Sequence, residues 1–456
     1  MAPHPPLLLP AETQNREFDA KLLLACVAAE RGFPAVVGSR IHMHAAIARM
    51  PRGIYVAKDV RRPSRRIFRI LRRLGHAIVA WDEEGLIFIT PALYHRRRID
   101  PDTLAMIELY LAWGETAGTL VRTAPGYRGA PVALTGNPRI DLLRPELRGF
   151  FAAEAAALRE RHGRFVLVNT NFGRINHFNP NLSLRPSAEG AAALANLEAD
   201  DPPLEAWRFR EAVMHAMAEM VPAVARAFPG VTVIVRPHPS EGHAFWREAA
   251  AGLANVAVIH EGYVAPWLMA AEAAVHNGCT TGIEGRLLGT PVFAFRPVVS
   301  DAFEIALPNR VGIEAASTQA LIEGLEGVLA APGAREPDAR ERAELAPYIE
   351  ALEGPLACDR IVDELAGFAA RRPIRRPPAA ARLRGRVEAL GRATVKGLNA
   401  LRPGHKDSAA FARQRFPGMD AAGVAERIAR FDALLGRFAD VGARELAPNV
   451  FLVERR

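Results

Sequence analysis

Short β-branched runs alternate with stretches of helical period along most of this chain. Residues 6–12 (PLLLPAE) read as a first strand. Residues 19–31 (DAKLLLACVAAER) follow as an amphipathic helix with Leu22, Leu23, Cys26 and Val27 on one face, and Gly32 ends it. Strands are expected at 35–37, 53–57, 76–81 and 132–134, with a further apolar run at 107–113 and a basic helix at 63–75. A helical crossing at 145–163 separates this half from a second one that opens with a strand at 165–168. There the pattern predicts a helix at 207–228, strands at 231–235 and 273–275, and a last apolar run ending at Phe295. Helices at 318–329, 341–366, 379–401 and 420–439 and a closing strand at 449–453 complete the reading. Residues 176–204 are polar with little periodicity and read as a long insertion that substrate could order.

Residues 231–295 concentrate the chemistry. The strand VTVIV ends at Arg236-Pro237-His238-Pro239, where two prolines stop regular structure. In an open α/β sheet, ligands sit at the carboxyl ends of strands, so Arg236, His238 and Pro239 stand at such a rim. The strand at 273–275 runs into His276, Asn277, Gly278, Thr280, Thr281 and Gly282, expected as a turn, with a helix from Ile283. Small residues let backbone N–H groups approach an anion, and the helix start adds partial positive charge. Glu284 would accept from a ribose hydroxyl. The same residues would also make an ordinary cap, with Thr280 or Thr281 as N-cap and Glu284 as its capping-box partner. After the strand at 165–168, Asn169, Asn171 and Gly173 are candidates for contact with a phosphate or sugar, and loop capping explains them equally well.

In the first half, the strand at 76–81 ends in Asp82-Glu83-Glu84-Gly85. Consecutive carboxylates after an apolar strand are costly unless they are solvated or functional. Gly38 and Ser39 after the second strand would leave backbone donors free at a sheet edge, or form a plain loop. Gly136, Asn137 and Arg139 in the TGNPR turn are candidate cleft residues or simple turn formers.

At 456 residues the chain can bury two full cores, and 24% charged residues is ordinary for a globular protein. Its three cysteines, Cys26, Cys279 and Cys358, are sparse and lack metal-ligand spacing, which predicts a reducing compartment. The N-terminus lacks a signal-peptide pattern, and no stretch has the roughly 20 apolar residues of a membrane span. The expected location is the cytoplasm. The net charge of +8 comes almost wholly from arginine. An anionic donor, an anionic acceptor or an anionic membrane face would each suit it, as would a biased coding sequence. Aromatic residues do not interleave with the basic ones, which argues against nucleic acid as a partner. Residues 371–406 are the most basic, and a helix at 379–401 would suit the inner face of a membrane or serve as a solvated linker.

The stretches RPHPSE and HNGCTTGIEG resemble the His-Pro and Ser/Thr motifs of bacterial inverting glycosyltransferases that use CMP-activated acidic sugars, the sialyl-, polysialyl- and Kdo-transferase groups of GT-B architecture. The chain also resembles the surface carbohydrate biosynthesis protein family, through WDEEGL at 81–86, TGNPRIDLLRPE at 135–146, FVLVNTNFGRINHFN at 165–179 and the HKDSAAFARQRFPGMD stretch near the C-terminus. The resemblance implies an α/β GT-B fold, two Rossmann-like domains facing a cleft. Residues 1–145 would form the acceptor domain, 146–370 the donor domain and 371–456 a basic helical extension. It implies an inverting glycosyltransferase without cofactor, using a nucleotide-sugar donor, CMP-linked by the motifs, with UDP-, GDP- and CDP-linked donors open; no DxD-like pair stands at a strand end, so no metal is expected. The acceptor would be a glycan or lipid-linked glycan. By the same resemblance an acid before Gly85 is the base: Glu84 first, then Glu83, then Asp82. A nucleotide-sugar epimerase of the same architecture and a non-catalytic scaffold at the membrane are the rival readings.

Overall fold

The computed structural model describes residues 4–179, 183, 204–402 and 408–456. Most of the expected 176–204 insertion and the start of the HKDSAAF stretch lie outside the described residues. The chain forms two compact units, Met1–Phe150 with Ala346–Arg456, and Phe151–Leu345.

The first unit holds an eight-stranded sheet in the order β13-β14-β2-β1-β3-β4-β5-β6. Strands β1 (Leu7–Ala11), β2 (Ala35–Ser39), β3 (Ile54–Ala57), β4 (Ala77–Ala80), β5 (Leu109–Ala112) and β6 (Val132–Leu134) run parallel. Every residue of β1 to β5 is buried, as expected where helices cover both faces of a parallel sheet. The hairpin β13 (Val441–Ala447) and β14 (Val450–Arg455) adds to the β2 edge, with β14 antiparallel to β2.

The second unit holds six parallel strands: β7 (Phe165–Asn169), β8 (Thr232–Arg236), β9 (Val256–Val258), β10 (Ala273–His276), β11 (Val292–Phe295) and β12 (Ile313–Ala315). Their order is β12-β11-β10-β7-β8-β9. Counted from β7, that is the 3-2-1-4-5-6 order of dinucleotide-binding sheets, with the topological switch point between β7 and β10. The Leu204–Ala227 helix closes one face of this sheet, burying Val213, Met217 and Val221 in one core with Val166, Val233 and Trp246.

The expected division at 145 and 370 differs from this one. Residues 346–456 do not form a separate extension; they return to the first unit, because β2 would otherwise be an open edge. Ser39 N–H, one of the two donors that a free sheet edge would have left open, donates to Asn449 O at 2.8 Å. The return also explains the Asp19–Glu30 helix, which is buried from Ala20 to Ala29 on all sides rather than amphipathic. The sheet covers one side of it, and the Ala357–Arg371 and Ala421–Leu435 helices cover the other. Arg437 fastens these pieces, donating to Glu30 Oε1 at 3.1 Å and to Asp359 Oδ1 at 2.8 Å. The closing helices expected at 341–366 are Ala339–Leu345 in the second unit and Ala357–Arg371 in the first. Strand β13 has no counterpart among the expected elements.

Gly38 tests the edge pairing. Its φ is +151°, and a Cβ there would lie 2.1 Å from Asn449 O. Gly38→Ala should destabilise the protein by more than about 2 kcal/mol in urea unfolding. Gly391→Ala, in the exposed Ala379–Ala400 helix with nothing near its added methyl, should be neutral or gain up to about 1 kcal/mol.

Candidate functional site

Parallel pairing of β7 with both β8 and β10 brings the three following loops to one edge of the second sheet. The loops after β8 and β10 are not neighbours; the β7 loop lies between them and joins them. Asn171 Nδ2 donates to Asn277 O at 3.1 Å, and Asn277 Nδ2 to Phe295 O at 2.8 Å, so both side chains tie the β7, β10 and β11 ends together. Gly173 allows the β7 loop to meet the β8 loop, since a Cβ there would fall 1.9 Å from Ser240 Oγ.

The strongest tie is Glu241, the last residue of RPHPSE, which is not among the sequence candidates. Its buried carboxylate accepts from Thr170 Oγ1 at 2.7 Å, from the His238 backbone N–H at 2.9 Å and from Trp246 Nε1 at 3.0 Å. Burial raises its pKa, against the pull of those donors. Its only signal in the sequence is its place in the motif. Glu241 fixes the backbone of His238, and Ser240 fixes the ring. The Ser240 backbone N–H donates to His238 Nδ1 at 3.2 Å, so the neutral imidazole carries its proton on Nε2. His238 and Pro239 are exposed at the rim.

Arg236, the last residue of β8, is buried. Its Nη2 donates to Glu261 O at 3.1 Å and Gly262 O at 2.8 Å. Burial brings its pKa down to about 10, opposed by the Glu284 carboxylate. Arg236 and the buried Glu284 therefore feel each other from opposite sides of β7.

The β10 loop differs from expectation. The helix begins at Thr280, not Ile283, with Cys279 as its N-cap residue, and neither threonine caps it. Gly278 takes φ +57°, and its N–H donates to Asn309 Oδ1 at 2.8 Å. His276 is wedged beneath this turn: its Nδ1 accepts from Cys279 N–H at 3.4 Å, and its Nε2 would lie 2.2 Å from a Cβ on Gly282. Gly282 is thus needed by the ring. Burial lowers the His276 pKa to about 4, so the ring is neutral. Beside Asn171, Asn277 and Gly278 a small pocket opens, walled by Phe209, Phe303 and Ile305.

Besides His276 Nε2, which is packed against Gly282, four buried donors at this edge have no hydrogen-bond partner among the described residues: Asn169 Nδ2, Arg236 Nε, Thr281 Oγ1 and Asn309 Nδ2. They come from the last residues of β7 and β8, from the first turn of the Thr280–Leu287 helix after β10 and from the Ala306–Arg310 helix.

In the first unit, each acid after β4 has its own partner. Asp82 is buried and accepts from Tyr94 OH and Arg98 Nε, both at 2.8 Å. Glu83 is buried 3.2 Å from Lys21 Nζ, and burial raises its pKa despite that ammonium. Glu84 keeps 42% of its side chain exposed and receives Arg16 Nη2 at 2.8 Å. Burial would raise its pKa, but Arg16 outweighs that and holds it at about 2. The TGNPR turn packs here: Asn137 Oδ1 accepts from Arg139 N–H at 3.0 Å, and Arg139 Nη1 donates to Glu83 O at 3.1 Å. Gly136, at φ +79°, is pressed so close to the chain that a Cβ there would lie 2.6 Å from Glu350 O.

No family model matches the sequence, and no curated protein matches it. Solved structures do match. A UDP-N-acetylglucosamine 2-epimerase superimposes with a TM-score of 0.52 at 13% identity, over 83% of this chain and 99% of that one. A putative UDP-N-acetylglucosamine 2-epimerase from Listeria monocytogenes gives a TM-score of 0.48 at 14% identity, over 81% of this chain and 97% of that one. The wall teichoic acid polymerase TagF gives 0.41 at 10% identity, over 70% and 73%. The first of these carries the fold: an α/β chain of two Rossmann-like units, of GT-B type. The other two add nothing to that.

The buried groups set a pH signature. The folded His276 pKa, about 4, lies below the ordinary 6.5, so the unfolded chain binds the proton first. Stability from this ring is complete above pH 6.5 and is lost as pH falls toward 4, by roughly 3 kcal/mol. Glu241 has the opposite sign, because its raised pKa lets the folded state take the proton first. Urea midpoints measured from pH 7 to pH 4 should therefore vary less steeply in His276→Gln and more steeply in Glu241→Gln.

Proposed function

We propose that this protein is a nucleotide-sugar-dependent glycosyltransferase of surface-polysaccharide assembly, with the donor phosphate bound by the loops after β7, β8 and β10. The observation that carries this reading is the set of four buried donors along the carboxyl edge of a 3-2-1-4-5-6 sheet, around its switch point. A buried donor left unmade costs about 1–3 kcal/mol, and an oxygen-rich anion answers several at once. The helix beginning at Thr280 adds its partial positive charge. His238 Nε2–H at the exposed rim and the Arg236 guanidinium beneath it supply the remaining positive character. Glu284 supplies an acceptor, suited to a ribose hydroxyl.

In transfer, the acceptor oxygen bonds to the anomeric carbon as the bond from that carbon to the phosphate oxygen breaks, and negative charge collects on the leaving nucleotide. N–H donors fixed in advance at that charge lower the barrier, which is why we assign this step to the protein's donors rather than a metal. The acceptor hydroxyl loses its proton to a carboxylate, and we assign Glu84 to this role. Asp82 and Glu83 are committed to buried partners, whereas Glu84, though paired with Arg16, keeps 42% of its side chain exposed. The CMP-linked acidic sugar rests on the RPHPSE and HNGCTTGIEG motifs alone.

The second reading is a nucleotide-sugar epimerase, favoured by a fold likeness that spans 99% of a UDP-N-acetylglucosamine 2-epimerase chain. Both readings place a nucleotide at the same loops, so two experiments separate them. In thermal unfolding, CMP, CDP, UDP and GDP are tested in turn; the matching nucleotide at a hundredfold excess over its Kd should add about 2.7 kcal/mol of stability. If none shifts the transition, nucleotide binding fails and the scaffold reading takes its place. The nucleotide sugar so identified is then incubated without acceptor: conversion to an epimer overturns the transferase, and slow hydrolysis at most supports it. His238→Ala should abolish turnover while leaving the unfolding midpoint unchanged.

A further inference from the structure

Of the eleven large apolar side chains exposed among the described residues, six lie between Leu383 and Leu401. They are Leu383, Val387, Leu390, Val395, Leu398 and Leu401, each 51–79% exposed. All but Val395 fall in one stripe of the Ala379–Ala400 helix or just beyond its end, about 27 Å long at 1.5 Å per residue. The opposite face holds the helix to its unit. Gly385 sits against Arg73 and Leu74, Ala389 is buried, and Glu388 pairs with Arg73. The stripe is therefore not a stray core face; it points away from a helix already docked.

Charge indicates what covers it. Residues 371–402 carry nine arginines and one lysine against Glu388 alone, a net +9, where the whole chain has +8. At 3.6 residues per turn, Arg384 and Arg386 fall on the two flanks of the stripe. The strap just before the helix adds Arg375 and Arg376, both exposed. Two copies meeting along this stripe would bring two such segments together, so self-association is opposed electrostatically. An apolar ridge with guanidinium groups along both margins matches the cross-section of an anionic bilayer surface, acyl chains below and phosphate headgroups beside. No described helix is long and apolar enough to cross a membrane, so contact here lies in the plane.

We propose that the Ala379–Ala400 helix docks this protein on anionic lipid bilayers, inserting Leu383, Val387, Leu390 and Leu398 while Arg384 and Arg386 meet the headgroups. This inference is independent of the nucleotide reading. The full-length protein is floated with vesicles of phosphatidylcholine, alone or with about a third phosphatidylglycerol. It should rise with the anionic vesicles only, and less so as salt is raised. Leu383→Asp with Leu390→Asp, and separately Arg384→Glu with Arg386→Glu, should each lower the partition coefficient at least about tenfold. Leu446→Asp, at an exposed apolar position on β13, should leave it unchanged. Urea unfolding of each variant confirms an intact fold, which is expected because the altered side chains are exposed. The proposal is overturned if the wild type stays with the aqueous fraction, or if the leucine variant floats as well as wild type. It is overturned equally if sedimentation shows a dimer that the leucine variant dissociates, which would assign the stripe to a second copy.

Discussion

A carboxylate removed from water at Glu241 holds the candidate site in shape. Removing a charge from solvent costs several kcal/mol unless hydrogen bonds replace the lost hydration. Here Thr170, Trp246 and the His238 backbone replace it, one from the β7 loop, one from the Ala244–Ala249 helix and one from the β8 loop itself. Each of those donors would be stranded without the acid, so the three segments are fixed together. The consequence reaches His238. With its backbone held by Glu241 and its Nδ1 taken by Ser240, the ring can present only an N–H outward. Gly173 makes this possible by lacking the side chain that would push Ser240 away. One acid in the motif thus sets the hydrogen-bonding character of another residue at the rim.

The acids of the first unit show the same economy applied differently. Asp82, Glu83 and Glu84 are consecutive, yet they meet Arg98, Lys21 and Arg16 respectively. Lys21 is itself fully buried between Glu17 and Glu83 and donates to Pro10 O at 2.8 Å. A run of carboxylates in sequence is therefore not a shared acidic surface in the fold. Two of the three are structural fixtures at the carboxyl edge of the first sheet, and only Glu84 keeps solvent access. That distinction is invisible in WDEEGL, because the partners come from positions 16, 21 and 98, on other elements.

Local patterns in the chain predict the parallel strands well, because buried strands such as LLLPA and the VIV of TVIVR are short, apolar and bounded by breakers. What escapes them is everything decided at long range. Strand β13, with the sequence VGARELA, has three polar or glycine positions in seven and an exposed outer edge, so it carries little apolar signal. The Asp19–Glu30 helix looks one-sided in sequence because the helices that cover its outer face lie more than three hundred residues later. The same return of the chain makes a two-unit division look like three consecutive regions. At the site, the rim loops are legible from their prolines, threonines and glycines, whose backbone demands are local. The start of the helix at Thr280 is not, because β-branched residues read as non-helical although helix N-termini tolerate them. Glu241 is hidden for a different reason: a carboxylate two residues after a proline looks solvated until Thr170 and Trp246 are seen to surround it.

Charge is the last property that changes meaning once the fold is known. A chain at +8 invites the reading that it attracts an anionic donor throughout. Residues 151–345, the unit that holds the candidate nucleotide site, contain sixteen arginines and no lysine against twenty-three acids, a net −7. The long-range field of that unit opposes an anion. Binding a phosphate there must therefore rest on contacts within a few ångströms: buried N–H donors, the start of the Thr280–Leu287 helix, and Arg236 and His238. Such contacts are screened little by salt, because they are partly desolvated. The excess positive charge lies in the other unit, and residues 371–402 alone exceed the chain's total. Exposed arginines of that kind act over about a Debye length and weaken as salt is added. The two proposed anion-binding surfaces therefore differ in physical kind, one short-range and built in, the other diffuse and salt-sensitive, and ionic strength alone should separate them.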